Sequence, residues 1–483
     1  MNLVSNRRIF KNVMYLNFSA IAAKVLGFAT SILLARQLGE TQFGQYMFIF
    51  SFTSYFLLFN DLGLNILNSR DVARSHGDAP RYFNEIGSLK LIITSVLFAV
   101  FLFTIYAIPY PQLMRTALMF GFLYIAIKSF GVFFGSFLTA FERLDINSIL
   151  DFCFTLTVLL FLLAATYLKI FNLVSVMALY ALAIFLWAGA FPVILFRRFI
   201  PFKLYFKPDF SLVKESYVFA LGGIAGSVMM QTDVVVLKFM SGDAATGYYG
   251  IGLSFVIGLM FLGLSLSSAM YPVFSRLFKE SREELKGYFE KSVETLYKMT
   301  VPFCVGGIVL AKKIILLFYG VSYLPAQSSF EILMLAGLLL APGNFMATFL
   351  QATNRQGSVL KVNFIGIAVN LALSVTLIYY FSHTGAAVAR AATFLYLAVC
   401  YWFIIRKDVP GVKMYSYLFK PVFAGLVMAA VLLSLLKLNV FILLFIGITV
   451  YLSVLVLVKG ISREEYNFVK SCWRYKADVL EHP

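Results

Sequence analysis

Four charged side chains lie inside stretches of sequence that are otherwise apolar: Lys24, Lys128, Asp233 and Arg390. Lys24 is about halfway along the apolar stretch that begins at Asn12. A charged side chain at the centre of a bilayer costs about 2.5–3.5 kcal/mol on insertion scales, so Lys24 should face a bundle interior or a watery cavity. Two interpretations stay open. Lys24 pairs with a neighbouring acid for assembly, or it lines a polar cavity and binds an anion.

Composition places the whole chain in a membrane. Of its 483 residues, 61% are hydrophobic and only 13% are charged, and the mean hydropathy is +0.86. Soluble globular domains contain about 25% charged residues. The chain also contains repeated apolar runs of about 20 residues, the length that a helix needs to cross a bilayer. We therefore expect an all-α polytopic membrane protein with a retained first span.

The remaining composition argues against several functional classes. The net charge of +17 is explained by basic cytoplasmic loops, without any nucleic acid partner. The three histidines, His76, His383 and His482, fall in loops or the tail, and the four cysteines lack metal-ligand spacing. We expect no metal site, no catalytic triad and no enzyme activity.

Fourteen spans are predicted. They are residues 12–34, 43–64, 84–108, 114–140, 147–168, 172–196, 214–239, 248–275, 292–318, 326–350, 361–381, 385–405, 419–436 and 439–458. If successive loops lie on alternating faces of the membrane, 30 of the 40 Lys and Arg fall on one face and 7 on the other. The remaining three, Lys24, Lys128 and Arg390, lie within spans. This bias predicts a multi-pass protein of the cytoplasmic membrane with both termini in the cytoplasm.

Two sequence echoes indicate an internal repeat. LGETQFGQY at Leu38–Tyr46 returns as SGDAATGYY at Ser241–Tyr249, and FLTAFER at Phe137–Arg143 returns as FLQATNR at Phe349–Arg355. The offsets of 203 and 212 residues predict two parallel six-helix lobes around a central cavity, plus a C-terminal helix pair. The predicted boundaries are 1–200 and 201–410 for the lobes, 411–458 for the pair and 459–483 for a cytoplasmic amphipathic tail.

Helix 1 ends in LARQLGETQFGQY, and Asp61-Leu-Gly-Leu64 follows near the end of helix 2. With these motifs the chain resembles the polysaccharide transporter family, the Wzx-type O-antigen flippases of the multidrug/oligosaccharidyl-lipid/polysaccharide (MOP) superfamily. Lys24-Val-Leu-Gly-Phe28 is similar to a basic-x-x-Gly-Phe segment of lipid II flippases, in which the basic residue faces the substrate cavity. Thr30 stands where those proteins have a second basic residue, which argues against lipid II itself as the substrate.

The resemblance implies a V-shaped cavity and a cargo of polyprenyl-linked sugars. Lysine binds phosphate as a point charge, so Lys24 and Lys128 are candidates for the phosphate head. The other predicted substrate-binding residues are Asn17, Tyr55, Asn60, Asp61, Tyr124 and Gln231. Besides the lipid-linked oligosaccharide, the expected partners are membrane lipids and a glycan polymerase or ligase. We expect a monomer, with no nucleic acid partner and no cofactor beyond a coupling Na⁺ or H⁺.

The coupling site is predicted around Asp233 in helix 7. An ionised carboxylate there must be protonated, paired or bound to a cation. Arg390 is the pairing candidate. The resemblance to lipid II flippases implies a cation between helices 7, 11 and 12, and Asp233, Asn370 and Thr393 match that pattern whereas Ser374 and Arg390 depart from it. A sodium site, proton coupling and a static ion pair all stay open.

Two other functions compete with the flippase. A multidrug or cation antiporter of the same superfamily should have an acidic cavity in the first lobe, but Asp61, Glu85 and Asp151 lie nearer span ends than the two lysines do. A membrane-embedded glycan-assembly enzyme should carry acidic or histidine clusters on a sizeable loop, which the sequence lacks. The sequence therefore favours a flippase with an anionic cargo.

Overall fold

The computed structural model describes residues 3–201, 205–412 and 414–460, with side chains from Ala22 onward except at residues 218, 219, 261 and 414–416. The described residues form helices and no strand. The helices are α1 (Leu3–Asp61), α2 (Leu64–Arg74), α3 (Ala79–Ala107), α4 (Gln112–Ala140), α5 (Leu144–Tyr167), α6 (Leu173–Arg198), α7 (Ser211–Glu280), α8 (Arg282–Val309), α9 (Ala311–Phe318), α10 (Gln327–Ala352), α11 (Gln356–Asp408), α12 (Met414–Ser434) and α13 (Val440–Leu457). The predicted amphipathic tail lies almost wholly outside the described residues.

The helices match the predicted membrane spans. Nine helices in the described ranges are long and apolar enough to cross a membrane, or eleven if two bent pairs are counted as spans. The helices α1, α7 and α11 each contain a break in helical geometry, at Gly39, Gly242 and Ser382. Each of these three helices therefore supplies two of the predicted spans. The all-α polytopic fold class is confirmed.

The first sequence echo has the same backbone geometry in both copies. Gly39 breaks α1 with φ 69° and ψ 173°, and Gly242 breaks α7 with φ 84° and ψ −172°. Positive φ is accessible to glycine at little cost because it has no Cβ. The recurring glycine therefore encodes the same turn between two helical segments, 203 residues apart.

The two copies of this motif also contact each other. A Cβ on Gly44 would collide with the backbone oxygen of Asp243, and a Cβ on Gly247 would collide with the backbone oxygen of Glu40. The Gln45 amide donates a hydrogen bond to Asp243 Oδ2 at 3.0 Å. The contact is reciprocal, as expected if the two motifs are related by a local two-fold axis.

The second echo encodes two identical helix ends. Glu142 after α4 and Asn354 after α10 have φ of 57° and 62°. The Arg143 amide donates to the Leu138 carbonyl and the Arg355 amide to the Leu350 carbonyl, each at 2.8 Å. This is the hydrogen bond of a Schellman helix end, in which a left-handed residue stops the helix.

The chain divides into two compact units. The first comprises Met1–Ser254, Phe318–Ser329 and Leu360–Thr393, and the second comprises the remaining residues. The core of the first unit contains two apolar clusters contributed mainly by α3, α4 and α6, one shared with α2 and one with the second half of α1. In the second unit, Phe274, Phe289 and Phe349 form a buried aromatic group. The predicted six-helix lobes stay a prediction.

The glycine contact between the two motifs gives a stability prediction. We expect Gly247→Ala to lower the thermal unfolding temperature of the purified protein in detergent, because backbone atoms cannot move aside for the new methyl group. Overpacking of this kind costs about 1–3 kcal/mol. The control is Gly226→Ala in the same helix, where a Cβ meets nothing within 4 Å. The control should be neutral or slightly stabilising. Equal unfolding temperatures of Gly247→Ala and Gly226→Ala would contradict the close backbone contact at Gly247.

Candidate functional site

Lys24 of α1 and Lys128 of α4 both lie within electrostatic range of one acid, Asp151 of α5. The Asp151 carboxylate interacts electrostatically with both ammonium groups. Lys24 is exposed and Lys128 is half-buried. In the part of the chain with described side chains, neither lysine has a carboxylate within 4 Å, whereas Asp61 pairs with another lysine. These three residues form the basic cluster, with two positive charges and one negative charge.

The aromatic residues beside the basic cluster are packed against one another. The Lys128 ammonium lies 5.5 Å from the centroid of the Tyr124 ring, a cation–π distance. Tyr124 is only 4% exposed, and its ring contacts Phe50 and Tyr180 at centroid distances of 5.2 and 6.0 Å. Tyr124 therefore supports Lys128 and presents little surface of its own.

Glycines in α4 let neighbouring helices approach the basic cluster. A Cβ on Gly131 would collide with the Trp187 ring of α6, and a Cβ on Gly121 would press on Ile49 of α1 at 2.5 Å. At Gly135 a Cβ would lie 3.2 Å from the Asn147 side chain of α5. The absence of side chains at these positions allows α4 to pack closely against three helices. The position of Lys128 is therefore fixed by packing around its own helix.

Lys90 of α3 is a buried charge that the sequence analysis assigned to the cytoplasmic loop, and that assignment is wrong. Its side chain is 0% exposed. The Nζ atom lies 3.0 Å from Ser129 Oγ of α4 and 3.5 Å from Asp61 Oδ1 at the end of α1. The charge count put Lys90 with the loop although the predicted span 84–108 includes it. Polar residues at Asn60, Asp61 and Ser129 in neighbouring spans were the available signal.

Several predicted substrate residues are engaged within the protein. Asn60 is 3% exposed, donates to Thr94 Oγ1 at 2.6 Å and accepts a hydrogen bond from Ser129. The Tyr55 hydroxyl lies 3.2 Å from Thr232 Oγ1. Gln231 is half-buried, and the side chain of Asn17 falls outside the described residues. The structure thus places Lys24 and Lys128 each within electrostatic range of Asp151, while Asn60 and Asp61 contact Lys90.

Asp233 of α7 and Arg390 of α11 form a buried ion pair. Their side chains are 0% and 1% exposed. The guanidinium donates Nε–H to Asp233 Oδ2 at 2.6 Å, and its Nη2 contacts Oδ1. The Tyr249 hydroxyl donates to Oδ2 at 2.5 Å, and the Val234 amide donates to Oδ1 at 3.1 Å. Both carboxylate oxygens are therefore bound by protein donors, and the choice among sodium site, proton coupling and static pair stays a prediction.

Asn370 and Thr393 form a separate buried contact. The Asn370 amide donates to Thr393 Oγ1 at 3.2 Å. Asn370 Oδ1 and Ser374 Oγ are buried without a hydrogen-bond partner. Among the described residues no group of three or more His, Cys, Asp or Glu side chains could hold a metal ion. Sodium coupling at Asp233, Asn370 and Thr393 stays a prediction.

Residues 9–278, more than half of the chain, match the family model described as "Polysaccharide biosynthesis protein". The chain belongs to this polysaccharide biosynthesis protein family. A second model, MatE, matches residues 219–376. An uncharacterized membrane protein of Methanocaldococcus jannaschii is 22% identical over 416 residues, which cover 78% of this chain and 80% of that protein.

Solved structures place this family member in the fold of the MOP superfamily. The lipid II flippase MurJ in an inward closed conformation aligns with a TM-score of 0.78 and 16% identity, covering 91% of this chain and 98% of MurJ. An inward-facing multidrug resistance MATE transporter of the MOP superfamily aligns with a TM-score of 0.64 and 14% identity, covering 80% and 94%. The superfamily assignment made from the sequence is confirmed, and the Wzx-type subfamily stays a prediction.

The buried ion pair of this family member gives a stability prediction. We expect Asp233→Asn to lower the thermal unfolding temperature strongly, because an uncompensated buried guanidinium costs about 3–5 kcal/mol. Adding Arg390→Gln should restore part of that loss. The matched control is Asp408→Asn, which breaks a more exposed pair with Arg355. Such surface pairs contribute about 0–1 kcal/mol. If Asp233→Asn melts like the control, the two residues do not form a stabilising pair.

Proposed function

We propose that this protein is a flippase that moves polyprenyl-(pyro)phosphate-linked oligosaccharide across the cytoplasmic membrane by alternating access, for cell-surface polysaccharide biosynthesis. The observation that carries the proposal is the basic cluster, in which both Lys24 and Lys128 interact electrostatically with Asp151. Membership in the polysaccharide biosynthesis protein family supports the process. The fold likeness to a lipid II flippase supports the class of transport.

The charge balance of the spans favours an anionic cargo. Asp61 is opposed by Lys90 at 3.5 Å, and Asp233 is bound by Arg390. Asp151 meets two lysines. The basic cluster therefore carries excess positive charge, and its two lysines lie within spans, where an ammonium is costly unless it meets an anion or water. A phosphate or pyrophosphate head would supply the missing negative charge.

The same balance argues against a multidrug antiporter. A cationic drug would need a carboxylate that is free of basic neighbours. Asp61, Asp151 and Asp233 each have a basic residue as the neighbouring charge. A cationic molecule approaching Asp151 would be repelled by Lys24 and Lys128.

We further propose that a glycan polymerase or ligase receives the flipped cargo, and that both termini face the cytoplasm.

The role of Lys24 is tested by glycan export in cells that depend on this protein. Lys24→Ala should abolish export while the amount of protein in the membrane stays normal, because the phosphate head loses a cation. Lys24→Arg should keep part of the activity because it keeps the charge. Lys169→Ala, at an exposed lysine after α5, is the control and should export normally. Normal export by Lys24→Ala would refute the cargo contact.

The accessibility of position 128 is tested by thiol labelling in a background without native cysteines. Lys128→Cys should react with a small water-soluble reagent in membrane vesicles, because the basic cluster must be open to water to receive a charged head. The adjacent Ser129→Cys is the matched control, since Ser129 is 1% exposed and faces Lys90. Protection of both cysteines from reagent on both sides of the membrane would count against an aqueous site.

A further inference from the structure

A groove lies on the surface of the first unit, between α3, α4 and residues 205–206, which precede α7. Its volume is about 380 Å³, within the range of about 300–1,000 Å³ of small-molecule sites. Six of its ten lining residues are aromatic, and the rest are Asn84, Gly87, Ser88 and Leu91. The aromatic lining residues are Phe83, Phe130, Phe133, Phe134, Tyr205 and Phe206.

Residues 205–207, within the connecting segment (residues 205–210), are fixed against α3 by two hydrogen bonds. The Tyr205 amide donates to Asn84 Oδ1 at 2.8 Å, and the Lys207 amide donates to Ser88 Oγ at 3.0 Å. The side chains of Asn84 and Ser88 thereby hold the backbone of Tyr205 and Lys207 at the edge of the groove. The groove is thus formed by an anchored backbone and leaves an apolar interior.

Gly87 keeps the floor of the groove open. A Cβ at this position would meet only the Phe133 ring, at 3.8 Å. The Phe83 ring beside it packs on Phe133 and Phe134 at centroid distances of 5.9 and 5.8 Å. Packed rings give the groove rigid walls, while the missing side chain leaves room for a flexible apolar chain.

The surroundings indicate a membrane–water interface at this end of α3. Leu91, within the groove, is 52% exposed, and further along the same helix Phe103 is 76% exposed, as expected of a lipid-facing surface. The connecting segment exposes Phe206 and Phe210 by 66% and 60%. Exposed aromatic side chains at the end of a span are typical of the interfacial belt.

A basic residue, Lys207, directly follows the lining residue Phe206, and its backbone amide bonds to Ser88 of the groove. Lys207 is exposed, and its ammonium has no carboxylate within 4 Å among the described residues. The nearby Asp209 accepts hydrogen bonds from Ser211 and lies 3.9 Å from Arg81. Asp209 also interacts electrostatically with Lys207, so the two basic residues Arg81 and Lys207 outnumber this acid by one. Basic residues beside grooves between membrane helices bind the head groups of anionic lipids.

We propose that this groove is a binding site for an anionic glycerophospholipid, with one acyl chain between the aromatic walls and the phosphate beside Lys207. The site is separate from the basic cluster. Phe130, Phe133 and Phe134 lie roughly 140–240° around α4 from Lys128, as follows from 3.6 residues per turn. A cargo whose head is bound at Lys128 cannot place the start of its tail on the opposite face of the same helix. A resident membrane lipid is therefore the occupant that fits.

Native mass spectrometry of the full-length protein tests the proposal without any transport assay, so its outcome is independent of the proposed flippase function. Protein purified in mild detergent is titrated with phosphatidylglycerol or with phosphatidylcholine of the same chains. The variant Gly87→Trp fills the groove, and Gly189→Trp is its matched control on α6, at a glycine with open space. Lys207→Gln removes the basic group, and Lys279→Gln, also exposed, is its control.

We expect the wild type to retain one more phosphatidylglycerol than Gly87→Trp does, and Gly189→Trp to match the wild type. Lys207→Gln should lower the preference for phosphatidylglycerol over phosphatidylcholine about tenfold, whereas Lys279→Gln should keep it. Equal lipid retention by Gly87→Trp and the wild type would overturn the site. Retention of a polyprenyl phosphate in place of phosphatidylglycerol would overturn the assignment of a resident phospholipid.

Discussion

A charged group cannot stay unpaired in hydrocarbon, and this constraint explains the arrangement of the membrane-embedded charges. Arg390 and Asp233 meet with less than 2% of either side chain exposed. Lys90 is completely buried, and Asp61, Asn60 and Ser129 surround its ammonium. Since a buried ion pair contributes little net stability against an apolar replacement, these pairs are best understood as positioning devices that fix neighbouring helices. They join α7 to α11, and the end of α1 to α3 and α4.

The basic cluster differs from these pairs in both charge and exposure. Lys24 and Lys128 outnumber Asp151, and the two lysines are exposed and half-buried. The internal repeat sharpens the contrast, because the offset of 203 residues aligns Thr30 with Asp233. The Thr30 hydroxyl bonds to the Leu26 carbonyl of its own helix. The first repeat therefore has a neutral residue where the second has a buried acid, and no acid at that position offsets its two lysines.

The sequence predicted the elements whose signal is local. Apolar runs set the spans, and recurring residues such as Gly39 and Gly242 marked turns that proved to have matching backbone angles. Which acid each membrane-embedded lysine meets was harder to predict, because it depends on the rotation of each helix about its axis. Lys128 could have met Asp61 or Asp151 on sequence grounds, and only the packing of α4 decides. Lys90 lies inside the predicted span 84–108, but its burial and its contact with Asp61 depend on how α3 packs.

The central claim is that the excess positive charge of the basic cluster selects an anionic cargo. The most direct measurement is charge selectivity in liposomes that contain only the purified protein. A fluorescent polyprenyl-pyrophosphate-linked oligosaccharide and a cationic dye would be offered separately, and their movement across the bilayer would be followed. The account predicts movement of the anionic lipid-linked glycan and none of the dye above empty liposomes. Movement of the dye without movement of the glycan would contradict it.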